Sequence, residues 1–122
     1  MQSYSYIDID QINLISDGSK ELVSDLALIF KNQAPAFARQ FDELYFSKNF
    51  LALSKLAHKV KGSVSTIGIT RLVESMKELE HIAKEGVSKE KYSVLIDEFK
   101  TVSQKALNEL NHYLENNKTE PI

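Results

Sequence analysis

Apolar residues recur along this chain at three- and four-residue spacing, in five blocks separated by short polar clusters. The first block is short, from Asp10 to Ser16, with Ile12 and Ile15 on one side. It stops at "SDGS", a cluster of turn formers. Ser19 then stands where a helix N-cap belongs, and Glu21 sits in the first turn, where the helix dipole favours an acid. The second block carries Leu22, Leu26, Ile29, Phe30, Phe37, Phe41 and Leu44 as its stripe. Pro35 falls inside it and removes one backbone hydrogen bond. The pattern resumes in phase beyond it, which predicts one kinked helix rather than two. "FSKN" marks the next boundary.

The third block places Leu53, Leu56, Ala57, Val60, Val64 and Ile67 on one face, with Gly68 as its stop. Thr70 is placed to cap a fourth helix with Leu72, Val73, Met76, Leu79 and Ala83 as its stripe, ending at Gly86. Ser88 is placed to cap a fifth, whose stripe runs from Tyr92 through Leu95, Ile96, Phe99, Val102, Ala106 and Leu110 to Tyr113. The closing "ENNKTEPI" has nothing to bury, so residues 117–122 read as a flexible tail beyond a domain of residues 1–116. The fold class predicted is all-α: an antiparallel up-down four-helix bundle. The short N-terminal helix would lie across one end or edge as a lid. Phe30, Phe37, Phe41 and Phe99 fall on the stripes and read as core.

Composition narrows the function classes. A chain of 122 residues fits one domain. Four glycines and two prolines are too few turn formers for a many-stranded sandwich or barrel. With no cysteine, disulfides and thiolate metal sites are excluded. A net charge of −2 lacks the basic excess of nucleic-acid binders, so no nucleic acid is expected as partner. No apolar run approaches the roughly 20 residues of a membrane span. "MQSYSYIDID" has neither the basic nor the apolar part of a signal peptide, so a cytoplasmic protein away from membranes is expected. Met1 and the polar C-terminal tail favour a free-standing protein over an excised domain.

The candidate chemistry sits in "LAHKVKGSVSTIG", residues 56–68. At about 100° per residue, with Leu53 at zero, the third helix's stripe falls within roughly 60°. His58 falls at about 140°, Lys61 at about 80°, Ser65 at about 120° and Gly62 at about 180°. The imidazole therefore projects from the polar side. Gly62, one turn on, leaves open space beside it, although a mid-helix glycine costs about 1 kcal/mol relative to alanine. Lys61 at i+3 is close enough to share an anion with the ring. Ser54, at i−4, is also small. The flanking cations Lys55 and Lys59 read equally as solvated residues or as docking contacts for an acidic surface.

These residues match a known pattern. His58, Val60, Lys61, Gly62, Ser63 and Gly68, followed by Leu72 and by Leu79–Glu80, resemble the signature of the histidine phosphotransfer (HPt) domain. The upstream "IDIDQINLISDGSKELVSDLALIFKNQAPAF" resembles that family's opening, and the likeness spans about residues 7 to 112. Val64 and Met76 depart from it, where many members carry a smaller residue and a cysteine; both lie on apolar stripes. The resemblance implies a carrier that takes a phosphoryl group from the aspartate of one receiver domain and gives it to another. By that likeness Nε2 of His58 carries the group and Glu80 orients the ring through Nδ1. Lys61, with Lys84 as a further candidate, faces the phosphoryl oxygens. Gly62 gives a receiver clearance, and Ser54, Lys55, Lys59 and Ser65 surround the docking site. The partners implied are receivers of a hybrid histidine kinase and of a response regulator. Mg²⁺ is expected on the receiver, no cofactor on this chain, and the chain is expected to be monomeric.

Two other readings of the chain compete with it. Glu78 with His81, and Glu109 with His112, form two Glu-x-x-His pairs like those of di-metal carboxylate bundles. Both histidines fall about 180–200° from their stripes, facing solvent, and the third helix offers no glutamate. A helical adaptor with an incidental His58 is the other reading. A kinase with its own ATP site is excluded by size and by the lack of a Gly-rich nucleotide motif.

Overall fold

The computed structural model describes residues 4–117. Five helices follow one another: α1 (Ile9–Ser16), α2 (Lys20–Phe46), α3 (Phe50–Thr66), α4 (Thr70–Glu85) and α5 (Tyr92–Asn117). No strand occurs among the described residues. Each of α2 and α4 packs against both α3 and α5, closing a four-membered ring. Residues 47–49 and 67–69 are the whole of the first two connections between these long helices. Links that short reverse the chain, so successive helices run antiparallel. The core fills the ring: Phe41, Leu53, Val60, Val64, Leu72, Met76, Leu79, Phe99 and Leu110 are fully buried. Phe37 and Phe41 meet Phe99 edge to face, with centroids 6.3 and 5.4 Å apart. Val64 and Met76, the two departures from the family pattern, are core residues.

Local chemistry sets most boundaries. Ser19 caps α2 by accepting from Leu22 N, and Asn49 caps α3 by accepting from Ala52 N. The α2 helix runs without interruption through Pro35. Gly86, at φ +70°, ends α4 in the left-handed region that glycine occupies without penalty.

Several expected details are corrected. The buried face of α2 is Val23, Ala27, Phe30, Ala34, Phe37 and Phe41. Leu22 and Ile29, read as stripe residues, are 40% and 51% exposed, while Leu26 and Leu44 are half-buried. Because α2 packs on two neighbours, its buried line lies on the face turned towards both of them. The larger aliphatics fall to the α3-side edge. Ile15 is likewise 36% exposed; Ile12 is the buried apolar residue of α1, with Ile9 packed partly against the core. Thr70 is the first residue of α4, not its cap; the buried Ile69 holds the cap position and makes no side-chain bond. Ser88 does not cap α5. It adopts φ +53° and leads a single 3₁₀ turn, Lys89–Lys91, because burial of Tyr92, whose hydroxyl donates to Ile82 O at 2.9 Å, fixes where α5 begins. Asn117, placed in the tail, is helical; residues 118–122 lie outside the described residues.

The N-terminal segment closes one end of the bundle. The Glu109 carboxylate on α5 accepts from the backbone N–H groups of Ser5, Tyr6 and Ile7, at 2.8–3.1 Å. Asp8 N donates to Gly68 O at 2.9 Å, which joins α1 to the α3–α4 turn. Gly68 has φ +77°, and a Cβ built there would lie 2.8 Å from Ile12 Cγ1. Gly68→Ala is therefore expected to cost about 1–3 kcal/mol through left-handed strain and displacement of Ile12. A urea denaturation midpoint unchanged from wild type would contradict this account.

Candidate functional site

The burial of Leu53, Ala57, Val60 and Val64 fixes the rotation of α3. That rotation turns His58 outward, and its side chain is 67% exposed. The neighbouring α4 supplies Glu80, one residue after the buried Leu79 and so at the edge of the core. His58 Nδ1 lies 3.0 Å from Glu80 Oε2, and Lys61 Nζ lies 2.9 Å from Glu80 Oε1. One carboxylate thus holds an imidazole with one oxygen and an ammonium with the other. An ionised carboxylate can only accept, so Nδ1 carries the proton and donates it to Oε2. In the neutral form of the ring Nε2 then keeps its lone pair, on the exposed side chain.

The Lys61 hydrogen bond, reinforced by the charges of Lys61 and His58, holds the Glu80 carboxyl below the usual glutamate range, against the opposing effect of partial burial. Lys61, the cation expected at the phosphoryl oxygens, has its ammonium bonded to Glu80 in this structure.

The remaining candidates divide by location. Ser54 is 4% exposed, and its hydroxyl donates to Glu80 O at 2.7 Å. It is not an open docking position; it ties α3 to the backbone of the residue that holds the ring. Leu51, Lys55 and Lys84 join Ser54, His58 and Glu80 around a shallow depression. Lys59 lies on the other flank, its ammonium 5.9 Å from the Phe37 ring centroid, while Ser65 is exposed. A Cβ built on Gly62 meets nothing within 4 Å, and its φ is not left-handed. Neither backbone conformation nor packing within the chain therefore requires a glycine there. Leu51 lies outside the motif residues that mark this site in the sequence. Its position seven residues before His58, hence on the same face, is the signal that would have found it.

The Glu-x-x-His pairs do not converge. Glu78 pairs with Lys91 at 3.3 Å, Glu109 holds the N-terminal backbone, and His81 and His112 are exposed. Among the described residues no three His, Cys, Asp or Glu side chains are grouped to hold a metal ion. Nor is any described helix long and apolar enough to cross a membrane.

The lowered Glu80 pKa has a defined consequence for stability. A carboxylate whose pKa is lower folded than unfolded stabilises the fold above its unfolded pKa and loses that contribution as pH falls through its folded pKa. The stability difference between wild type and Glu80→Gln should be present at pH 7 and shrink below about pH 4. Urea midpoints of both proteins at pH 7 and pH 3 measure it; a constant difference would contradict the ionised Glu80.

A comparison with curated proteins finds no match. A family model described as Hpt domain matches residues 25–120. The match leaves out α1 and the first turn of α2, and takes in His58, Lys61, Gly62 and Glu80 together with the four-helix ring around them. With most of its length under that model and the fold to go with it, the chain belongs to the Hpt domain family, the phosphocarrier modules of two-component phosphorelays.

Proposed function

We propose that His58 is the residue of this chain that carries the phosphoryl group, taking it from the aspartyl phosphate of one receiver domain and passing it to the aspartate of another. The observation that carries the reading is the exposed Nε2 opposite a Nδ1 bonded to Glu80 at 3.0 Å.

The chemistry follows from that bond. The lone pair on Nε2 attacks phosphorus, the N–P bond forms, the P–O bond to the receiver aspartate breaks, and the aspartate leaves as carboxylate. The proton on Nδ1 stays in place, so the ring becomes positively charged as the bond forms. Glu80, bonded to that same N–H, stabilises the developing charge. In the onward step the charged ring is the better leaving group, so the same contact serves both directions. Free imidazole titrates near neutral pH, which suits a nucleophile that must also leave. Lys61 keeps Glu80 ionised and, as the i+3 neighbour of His58, is placed to turn to the phosphoryl oxygens; Lys84 at the rim of the depression is a second cation for them.

Phosphoryl transfer depends on positioning and charge stabilisation. The receiver would bring the aspartate and its Mg²⁺, and this chain acts as carrier rather than kinase. The partners proposed are receivers of a hybrid histidine kinase and of a response regulator, met in the cytoplasm by a monomer. Gly62 is the opening through which the receiver reaches the ring.

His58→Gln, mixed with a phosphorylated receiver, should take up no label while keeping the wild-type circular dichroism spectrum. Label on the variant would remove His58 from the role. Gly62→Gln should fold, because its side chain enters open space, yet transfer at least tenfold more slowly through obstruction of the receiver. Wild-type transfer kinetics in that variant would sink the clearance argument.

A further inference from the structure

Three side chains of α3 hydrogen-bond to α4, and all three end on one residue. Ser54 donates its hydroxyl to Glu80 O at 2.7 Å, His58 Nδ1 meets Glu80 Oε2 at 3.0 Å, and Lys61 Nζ meets Glu80 Oε1 at 2.9 Å. Among the described residues no other side-chain hydrogen bond joins these two helices. The donors stand at i, i+4 and i+7, within about 60° of one another around α3 and about 10 Å apart end to end. His58 and Lys61 hold the carboxylate. Ser54 holds the backbone.

The Ser54 hydroxyl has a nearer alternative. A serine or threonine inside a helix can donate to a carbonyl of its own preceding turn. Ser75 does so to Arg71 O, Ser103 to Lys100 O and Thr66 to Gly62 O. Ser54 crosses to the next helix, at an unstrained distance for a hydroxyl donor. Glu80 O does not need it as a partner. It lies inside α4, where the N–H of residue 84 donates to it. The bond therefore adds position and rescues no unpaired carbonyl. Ser54 is 4% exposed, so water does not compete for the contact.

The position it sets is the one the ring needs. Side chains on a helix lean towards its N-terminus. Because α4 runs antiparallel to α3, the Glu80 side chain leans from the level of Ser54 along α3 towards residues 58 and 61, where its oxygens are bonded. The serine arm is short and has one rotamer angle, whereas the glutamate arm has three. The short arm fixes the backbone and the long one spans what is left. A slip of α4 by one residue would move Glu80 by about 1.5 Å. Misplacing a group that acts in a reaction by about 1 Å can cost a hundredfold in rate.

We propose that Ser54 is a positioning residue for phosphotransfer: by fixing the Glu80 backbone against α3, it keeps the carboxylate on Nδ1 of His58 and so leaves Nε2 as the nucleophile. The inference rests on the phosphotransfer reading of His58. Ser54 acts through Glu80 and makes no contact of its own with the phosphoryl group.

The test uses the full chain. Nitrogen NMR of isotope-labelled protein, with the His58 ring neutral, reads which ring nitrogen carries the proton and needs no receiver. Wild type should hold the proton on Nδ1. Ser54→Ala should shift the population towards Nε2–H, in the direction of Glu80→Gln. Single-turnover transfer is then followed from a phosphorylated receiver found by profiling the receivers of the same genome. Ser54→Ala should be about fivefold or more slower at saturation. The half-saturating receiver concentration should not change, because Ser54 is buried. In the Glu80→Gln background the same substitution should slow transfer no further, since its effect passes through the carboxylate. Ser103→Ala is the control. Ser103 is also 4% exposed, but its bond stays within its own helix, so tautomer and rate should match wild type.

With label on His58, a wild-type tautomer and rate in Ser54→Ala overturns the positioning role and leaves the carrier role standing. Equal slowing by Ser54→Ala in the wild-type and Glu80→Gln backgrounds also overturns it, since that is the mark of a general loosening of the fold. So does an equal loss in Ser103→Ala. Label elsewhere than on His58 removes the carrier reading and the reaction that Ser54 would serve; the tautomer comparison separates that failure from a failure of the tie. Circular dichroism establishes that each variant is folded.

Discussion

The packing of α3 on α4 is the contact from which the rest of this molecule follows. Leu53, Ala57, Val60 and Val64 meet Leu72, Met76 and Leu79 in a seam closed to water. Burial of each larger side chain contributes about 1.5–3 kcal/mol. The seam fixes the rotation of both helices at once. With α3 held, His58 has to point outward, and with α4 held, Glu80 has to stand at the edge of the seam beside it. The Ser54 hydroxyl bond to Glu80 O adds a polar tie at the same level. A 3.0 Å contact between side chains 22 residues apart in sequence is thus a product of core packing. The ion pairs themselves supply little of it, since partly exposed pairs are worth about 0–1 kcal/mol.

That division of labour suits a carrier. A nucleophile buried for precise orientation would be inaccessible to a partner protein, and a freely exposed one would sample many orientations. Here the ring stays exposed while its inner nitrogen is fixed by a carboxylate on the next helix. Lys61 keeps that carboxylate charged. Gly62 adds no side chain to that exposed face, at a helix-propensity cost of about 1 kcal/mol. The seam supplies stability from one face of α3 and leaves the other face, with His58, exposed.

The end of the bundle away from the α2–α3 connection is organised by another acid. Glu109 has the spacing to His112 of a metal-ligand pair, yet it gathers three backbone N–H groups of residues 5–7. Unmade, those bonds would leave the partly buried amides of Tyr6 and Ile7 without partners, so the carboxylate anchors the N-terminal segment as a unit. Through Asp8 and Ile12 that segment presses on Gly68, the turn between the two helices of the seam. Residues 4–24, which the family model does not cover, are therefore built into the fold.

Much of this was legible in the sequence because it depends on spacing along one helix. Periodicity placed the five helices, Ser19 marked the start of α2, and the angle of His58 relative to Leu53 put the imidazole outside. Local chemistry was less reliable where burial competed with it: Tyr92 and Ile69 set helix starts that Ser88 and Thr70 had the composition to set. The α2 stripe was misread for a related reason. A period counts apolar residues on a face, but which face is buried depends on the neighbours on either side. Val23, Ala27 and Ala34 hold the buried face in place of Leu22 and Ile29 because that face is the one turned towards both neighbours. The sequence by itself determined an all-helical chain with one outward histidine and a glycine beside it. The tertiary structure alone decided that Glu80 divides its oxygens between His58 and Lys61, that Ser54 is an internal tie, and that Leu51 borders the depression beside the ring. Those are contacts between helices, and the register of one helix on another is set by the packed core as a whole.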